Sequence, residues 1–307
     1  MAGIQRALDT GAVPGHISNV CPPGTKAYLL ELGWLECDEG FVVRGGNTSL
    51  KSTEGENFVN KRRELPVYAV LIDHPFEGVI LWETGCGVDY PTVWGPDIVD
   101  VFARVKILGH MHLDHAGGLD QFLDRKDVEI WVHDKELRSA FWSVATGADA
   151  GVYLQSYMDV SSIFYFLGSI TSADVKKLSL NWKTFDERTL DFCQGITLHH
   201  LPGHTDGLVG MQLNLRETGT FLFISDHCHV IENWRDGVPQ GWLARDHPAW
   251  FQSTQRLKRL ESTTKGQVIP GHDKETFLQL QGDINGRGGY LDLGVHRWPG
   301  RFSEWQK

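Results

Sequence analysis

Short apolar runs alternate with polar turns and with segments of helical periodicity along most of the chain. The runs with the length and composition of buried strands are 27–32, 67–72, 79–82, 105–108, 128–132, 196–201, 210–215, 221–224 and 268–269. Helices are predicted at 119–123, 135–143 and 248–260. Strands come first, then mixed strands and helices, then strands again. This order favours two packed sheets covered by helices in a single domain.

The strongest helical signal is the segment 248–260. Asp246 stands at the expected N-cap position, and Pro248 falls in the first turn, where its missing N–H costs nothing. The apolar face predicted for this helix consists of Trp250, Phe251, Leu257 and Leu260. We expect this face to cover one of the two sheets.

The segment after the run 105–108 has the highest density of potential metal-binding side chains in the sequence. It reads His110-Met111-His112-Leu113-Asp114-His115 and is followed by glycines at 117 and 118. Side chains at i and i+2 of an extended backbone leave the same face, which puts His110 and His112 together. The glycines are expected to let the chain turn and bring Asp114 and His115 back to the same place. This convergence indicates a metal centre with room for two ions.

Three apolar runs after this motif and one before it are also followed by a residue that can bind a metal. His204 and His272 each follow a Pro-Gly pair, Asp226 follows the run 221–224, and Glu83 follows the run 79–82. Loops at strand ends are where a rigid scaffold presents reactive groups. One His-bearing turn is more often structural, but the repeated Pro-Gly-His downstream of the first motif favours metal ligands.

With these motifs the chain resembles the metallo-β-lactamase-fold hydrolases, and among them the dinuclear zinc lactonases that open N-acyl-homoserine lactones. The similarity extends from about residue 28 to residue 272, and segments 141–147 and 180–182 resemble fungal lactone and lactam hydrolases of the same branch. The resemblance implies an α/β protein of the α+β type, an αβ/βα four-layer sandwich of two packed mixed β-sheets flanked by helices.

The same resemblance sets the expected domain limits. Residues 1–307 would form a single metallo-β-lactamase-like domain. Residues 161–178 read as an extra segment, either an aromatic lid, a peripheral helix or an irregular gene model. Residues 282–307 form an irregular, glycine-rich tail.

The resemblance also assigns the metal ligands. One ion would be bound by His110, His112 and His204, the second by Asp114, His115 and His272, with Asp226 bridging the two. Nitrogen and oxygen ligands without a thiolate suit two Zn²⁺, with Mn²⁺, Fe²⁺ or Co²⁺ as alternatives. Ions that share a water lower its pKa toward ~7 and supply hydroxide for attack on a carbonyl. Asp114 would then act as the catalytic group that carries the proton to the leaving atom.

One position departs from the lactonase pattern. Those enzymes have a tyrosine three residues after the bridging aspartate, where this chain has His229. We expect His229 to donate a hydrogen bond to the substrate carbonyl in place of the tyrosine. This difference leaves the identity of the substrate open, while hydrolysis remains the expected reaction. The neighbouring His227 and Cys228 are expected to pack, and Glu83 is expected to orient a ligand from behind.

Composition narrows the class of partner. The chain has 307 residues, of which 41% are hydrophobic and 22% charged, and its formal net charge is -10. Because no basic stripe accompanies this acidic balance, we expect a small-molecule lactone or lactam as substrate and no nucleic acid. The apolar stretch 163–167 is too short to span a bilayer, and the first twenty residues lack a signal-peptide pattern. We therefore expect a cytoplasmic enzyme without disulfides, and the oligomeric state stays open.

Three other functions compete with lactone or lactam hydrolysis. A thioester hydrolase of the glyoxalase II type needs a basic glutathione-binding surface, which the sequence does not reveal. A mono-iron oxygenase such as a persulfide dioxygenase typically lacks the second set of ligands, which this chain retains. A catalytically idle scaffold would usually have lost ligands. The complete set therefore favours the dinuclear hydrolase.

Aromatic and imidazole side chains outside the motifs are expected to be structural. Four tryptophans near the site loops are assigned to the core rather than to a pocket wall: Trp142, Trp182, Trp234 and Trp242. His133, His199 and His200 are expected to be buried strand residues with satisfied hydrogen bonds.

Overall fold

The structure, a computed structural model, describes residue 16 and residues 18–47, 61–86, 105–122, 125–148, 152–153 and 180–285. Its strands are β1 Lys26–Asp38, β2 Arg62–His74, β3 Gly78–Trp82, β4 Val105–Ile107, β5 Glu129–His133, β6 Asn181–Phe185, β7 Thr189–Cys193, β8 Ile196–His200, β9 Val209–Leu215, β10 Gly219–Phe223 and β11 Gln267–Ile269. Its helices are α1 Glu39–Val42, α2 Leu113–Ala116, α3 Asp134–Thr146, α4 Ile231–Arg235, α5 His247–Thr264 and α6 Lys274–Asn285, with 3₁₀ turns at Gly117–Phe122 and Ser225–His227.

The strands form two mixed sheets. The first has the order β1-β2-β3-β4-β5-β6, and the second has the order β11-β10-β9-β8-β7. In the first sheet β1, β2 and β3 pair antiparallel, whereas β3 to β6 pair parallel. In the second sheet the parallel pair is β10 with β11. Each parallel strand sends its carboxyl end to the same edge of its sheet, and the site forms there.

The two sheets pack face to face. Strand β2 shows why, because its residues are buried on both faces: Tyr68, Val70 and Ile72 join the core between the sheets, while Val67 and Leu71 lie in a separate outer cluster. The second sheet adds Leu198, Met211, Leu213, Phe221 and Phe223 to the core between the sheets. The inner layer is therefore an apolar sandwich, as the periodicity predicted.

Helices cover the outer face of each sheet. Helix α3 packs over the cluster that contains Ile130 and Val132 of β5. Helix α5 contributes Trp250 and Leu257 to the cluster under the second sheet. Helix, sheet, sheet and helix follow in that order, so the expected four-layer αβ/βα arrangement is confirmed.

Helix α5 begins as predicted, but the prediction that Phe251 lies on its apolar face was wrong. The Asp246 side chain accepts a hydrogen bond from the backbone N–H of Ala249 at 2.9 Å, which caps the helix. Trp250 and Leu257 are buried and Leu260 is half-buried, whereas Phe251 is exposed. Consecutive residues of a helix are 100° apart, so Trp250 and Phe251 cannot both face the sheet.

Trp142 and Trp242 contradict the expectation of a core position. Their exposed fractions are 69% and 83%, respectively. Trp142 lies on the outer side of α3, one position before the buried Ser143. Trp234 is buried, and Trp182 is half-buried against the cluster under α3, as expected.

Some elements had no clear sequence signal, and others cannot be compared. Strands β6 and β7 and helix α6 were not predicted; β6 reads Asn-Trp-Lys-Thr-Phe and is only half-buried over most of its length. The expected insertion at 161–178 lies outside the described residues. Of the tail expected to be irregular, 282–307, residues 282–285 are instead the end of α6, and the rest lies outside the described residues. Within the described ranges, no helix combines the length and apolar character that a membrane span requires.

Candidate metal centre

The site lies where strands of both sheets end. His110 follows β4, His204 follows β8, Asp226 follows β10 and His272 follows β11. All the site residues named from the motifs converge here: His110, His112, Asp114, His115, His204, Asp226, His229 and His272. His110, His204, Asp226 and His272 each lie within four residues of a strand end, so the sheets fix the spacing of these side chains.

The first motif folds differently from the expected glycine turn. Directly after His112 the chain enters helix α2, Leu113–Ala116, which carries Asp114 and His115 back toward His110. Gly117 has a φ of -63°, which any residue adopts. Gly118 is needed for space instead, because a Cβ there would lie 2.7 Å from the carbonyl oxygen of Thr84. A single helical turn, not glycine flexibility, closes the motif.

One group of ligand atoms gathers around His204. Its Nε2 lies 3.1 Å from His112 Nδ1 and 3.4 Å from Asp226 Oδ2. His110 Nε2 lies 3.7 Å from the same carboxylate oxygen. Burial together with neighbouring imidazoles holds the pKa of His110 well below its usual value. Burial lowers the pKa of His112 to about 4, although Asp114 and Asp226 act in the opposite direction. These rings are therefore neutral at pH 7 and have lone pairs for a metal.

A second group lies on the other oxygen of Asp226. Its Oδ1 is 3.3 Å from His115 Nε2 and 3.1 Å from His272 Nε2. Asp114 Oδ2 is 3.3 Å from His272 Nε2. Asp226 thus faces one group of candidate ligands with each of its two oxygens.

Hydrogen bonds behind the rings fix which nitrogen faces the centre. His272 Nδ1 donates to the Pro66 carbonyl at 2.9 Å, and His115 Nδ1 lies 3.1 Å from Glu83 Oε1. His204 Nδ1 faces Gln240 Oε1 at 3.3 Å. Carbonyl oxygens only accept, so the outer nitrogens of His272 and His204 are the donors, whereas His115 Nδ1 lies close to Glu83 without a hydrogen bond. With their outer nitrogens protonated, His204 and His272 turn their Nε2 atoms toward the centre, as metal-binding histidines do.

This arrangement needs a cation. The Nε2 atoms of His115 and His272 are 3.2 Å apart and both face Asp226 Oδ1. Two lone pairs and a carboxylate repel one another unless positive charge lies among them. Burial lowers the pKa of His272, but Asp226 and Asp114 outweigh it and raise the pKa to about 10. The nitrogen and oxygen donors of this group fit a divalent ion.

Glu83 supports the centre from behind, as the sequence indicated. It accepts hydrogen bonds from the Gly109 backbone N–H at 3.1 Å and from the Ser225 hydroxyl at 2.8 Å, in addition to its contact with His115. Ser225 Oγ in turn lies 3.3 Å from His110 Nδ1. Glu83 and Ser225 both have left-handed backbone conformations, with φ of 64° and 46°. Such strain costs of order 1–3 kcal/mol and is concentrated at functional sites.

His229 reaches the centre, and its two neighbours do not. Its ring is buried, and its Nε2 lies 3.1 Å from Asp226 Oδ2. His227 points the other way, stacks on Trp250 and bonds Thr254 Oγ1 at 3.0 Å. Cys228 is buried in the cluster under α5. Packing is therefore the role of His227 and Cys228, as expected.

Sequence reasoning missed two buried residues that hold the loops. Gln240 donates through Nε2 to the backbone carbonyls of Asp226 and His227 while its Oε1 faces His204. Glu136, on α3, accepts hydrogen bonds from both histidine-bearing loops. Neither stands in a motif, and only the three-dimensional fold brings them to the site.

The geometry agrees with comparisons to known proteins. A family model described as "Metallo-beta-lactamase superfamily" matches residues 62–272. N-acyl homoserine lactonase AiiB of Agrobacterium fabrum is 23% identical over 287 residues, covering 84% of this chain and 96% of that protein. N-acyl homoserine lactonase AttM of Azorhizobium caulinodans is 25% identical over 282 residues, covering 82% and 94%.

Solved structures show the same fold. A quorum-quenching N-acyl homoserine lactone lactonase superposes with a TM-score of 0.57 at 22% identity, covering 81% of this chain and 92% of that one. AidC, a dizinc quorum-quenching lactonase, gives a TM-score of 0.55 at 18% identity, covering 82% and 88%. The family match spans well over half of the chain, including every strand from β2 to β11. The chain therefore belongs to the metallo-β-lactamase superfamily.

Proposed function

We propose that the protein is a dinuclear-metal hydrolase that opens a cyclic ester, with a cyclic amide as the second substrate class to be tested. The observation that carries this proposal is the position of Asp226, whose two oxygens face two separate groups of ligands. The lactonase names of relatives that cover more than four-fifths of the chain support the ester. Because the sequence identity is low, the proposal does not specify which ring or which substituents the substrate has.

The ligand groups give each ion a defined set of donors. His110, His112 and His204 would hold the first ion, Asp114, His115 and His272 the second, and Asp226 would bind both. Bound divalent ions of this kind supply Lewis acidity, which polarises a carbonyl and lowers the pKa of water. Two Zn²⁺ suit the donor set, and Mn²⁺, Fe²⁺ or Co²⁺ are the alternatives. The protein's own contribution is to hold neutral imidazoles and ionised carboxylates in fixed positions.

Asp114 is the ligand best placed to move a proton. Its side chain is 17% exposed, whereas those of His110, His115, His204, Asp226 and His272 are nearly or fully buried. Asp114 therefore lies on the side from which a substrate arrives. Although burial raises its pKa, His115 and His272 hold that pKa well below its usual value, so the carboxylate is ionised and able to accept a proton.

His229 would position the substrate carbonyl. Its buried Nε2 lies beside Asp226 Oδ2 and faces the centre, where a donor can reach an oxygen that gains negative charge. Replacing it with Phe is expected to lower kcat/KM by about 10- to 100-fold while the metal content is unchanged. His229→Gln keeps an N–H donor and should recover part of the loss. His227→Phe is the matched control, because His227 faces α5. Equal losses in the Phe and Gln variants, or loss of an ion, would contradict this role.

A substrate and metal survey tests the proposed function. The metal-loaded protein is assayed with lactones, lactams and thioesters, and its metals are counted by elemental analysis. Turnover of a lactone or lactam with two zinc ions per chain is the expected result. Preferred thioester cleavage would favour a glyoxalase II type enzyme, and a single iron ion would favour an oxygenase; each result would contradict the proposal.

A further inference from the structure

Glu136 is a buried carboxylate outside the ligand set. It lies in the first turn of α3, on the buried side with Ala140 and Ser143, and its side chain is inaccessible to solvent. Burial raises its pKa, while four hydrogen bonds act in the opposite direction. Within the described ranges, no lysine, arginine or histidine forms an ion pair with it. A buried carboxylate is costly, so its partners indicate what it is used for.

Three of the four donors come from the two loops that carry the ligands of the first ion, and the fourth is the hydroxyl of Tyr153. Oε1 accepts from the Met111 backbone N–H at 2.9 Å and from the Tyr153 hydroxyl at 3.2 Å. Oε2 accepts from the Thr205 hydroxyl at 2.6 Å and from the Gly207 backbone N–H at 3.2 Å. One oxygen thus serves the first loop and the other serves the second.

These contacts lie directly beside the ligands. Met111 stands between His110 and His112 in the chain, and Thr205 follows His204. The Tyr153 ring also packs edge-on against the His112 ring, with centroids 4.8 Å apart. The distance between the two loops at Glu136 therefore sets the distance between His112 and His204.

The second loop contacts Glu136 so closely that there is no room for a side chain at Gly207. A Cβ on Gly207 would lie 2.1 Å from the Glu136 backbone nitrogen and 2.4 Å from its Cα. No side chain fits in that space, since such contacts lie far inside van der Waals distance. The second loop can therefore approach the first turn of α3 only with glycine at this position.

We propose that Glu136 is a positioning residue that clamps the two histidine loops at the spacing required for the first ion. It contacts no ion itself; it holds His112 Nδ1 and His204 Nε2 at 3.1 Å, where both can bind one metal. The inference rests on the proposed dinuclear site and concerns the His110, His112 and His204 set. The second set, on α2 and after β11, lies outside the clamp.

Replacing Glu136 with Gln tests the clamp with little change in volume. Gln has one acceptor oxygen, so its NH₂ group must face the donors of one loop. The Thr205 hydroxyl can turn and accept, but the Gly207 N–H cannot, and that loop loses its anchor. Removing a partner that orients a ligand typically lowers metal affinity about 10- to 100-fold. We expect this loss for the first ion and little change for the second.

Thr205→Val and Thr197→Val form a matched pair. Both threonines are buried, and each donates one short hydrogen bond to a carboxylate, Thr205 to Glu136 at 2.6 Å and Thr197 to Asp191 at 2.7 Å. Both variants should lose similar folding stability, but only Thr205→Val should weaken the first ion. In the double variant Glu136→Gln with Thr205→Val, the loss of affinity for the first ion should be smaller than the product of the two single losses, since both substitutions loosen the attachment of the same loop.

The readout is a competition titration of each full-length variant with Co²⁺ and a chromophoric chelator. Weaker binding of one ion in Glu136→Gln and Thr205→Val, with Thr197→Val equal to wild type, supports the clamp. Two unchanged affinities in Glu136→Gln, even at reduced melting temperature, would overturn it. A wild-type protein that binds no ion would overturn the proposed function and this inference together, so the two failures are distinguishable.

Discussion

Replacing Asp114 with Asn is expected to lower kcat by about 10²- to 10⁴-fold, the usual contribution of a positioned acid or base. The amide keeps an oxygen that can bind the second ion, but it has no carboxylate to accept a proton. Most of the metal should therefore remain bound. The measurement is steady-state lactone or lactam hydrolysis together with elemental analysis of the same sample.

Asp206→Asn provides the control for this substitution. Asp206 also follows a site histidine, but it is exposed and accepts a hydrogen bond from the Ser139 hydroxyl at 2.8 Å. Its replacement should leave turnover and metal content near wild type. If Asp114→Asn retained full turnover with both ions bound, Asp114 would not be the proton carrier.

Replacing Asp226 with Asn is expected to have the largest effect on metal binding. The wild-type carboxylate offers Oδ1 to His115 and His272 and Oδ2 to His204. An amide offers one oxygen, and its NH₂ group would face nitrogen atoms that must bind a metal. Uptake should fall from two ions toward none, and turnover should be lost.

Thermal denaturation supplies the second measurement on this variant. Metal bound only by the folded state at about 1,000 times its Kd stabilises a protein by about 4 kcal/mol, which corresponds to a shift of roughly 10 °C in Tm. A strong chelator should therefore lower the Tm of the wild type but not that of Asp226→Asn. A variant that keeps two ions and the chelator-dependent shift would contradict the bridging position of Asp226.

The candidate ligands could be found from the sequence because each stands in a short motif directly after an apolar run. The end of a strand is held in place by its sheet. The positions of His204, after a Pro-Gly pair, and of Asp226, after β10, were therefore constrained. The fold class followed from the same alternation. The half-buried edge strand β6 was missed because its exposed positions are polar and break the apolar pattern.

Residues that act through three-dimensional neighbours could not be found in this way. Glu136 in a helix with alternating charges reads as a solvated residue, and its burial depends on loops that lie 25 and about 70 positions away. Gln240 lies in an irregular loop and belongs to no motif. The turn after His112 was assigned to glycine because a four-residue helix such as α2 is too short to show periodicity.

The most direct test of the dinuclear site is a stepwise zinc titration of the metal-free protein in which bound ions and hydrolysis of a lactone or lactam are measured on the same samples. With the ligand sets described, hydrolysis should stay low through the first equivalent of zinc and rise to its maximum at two ions per chain. Full hydrolysis at one ion per chain, or none at two with any of the lactones and lactams tested, would contradict a dinuclear lactone or lactam hydrolase.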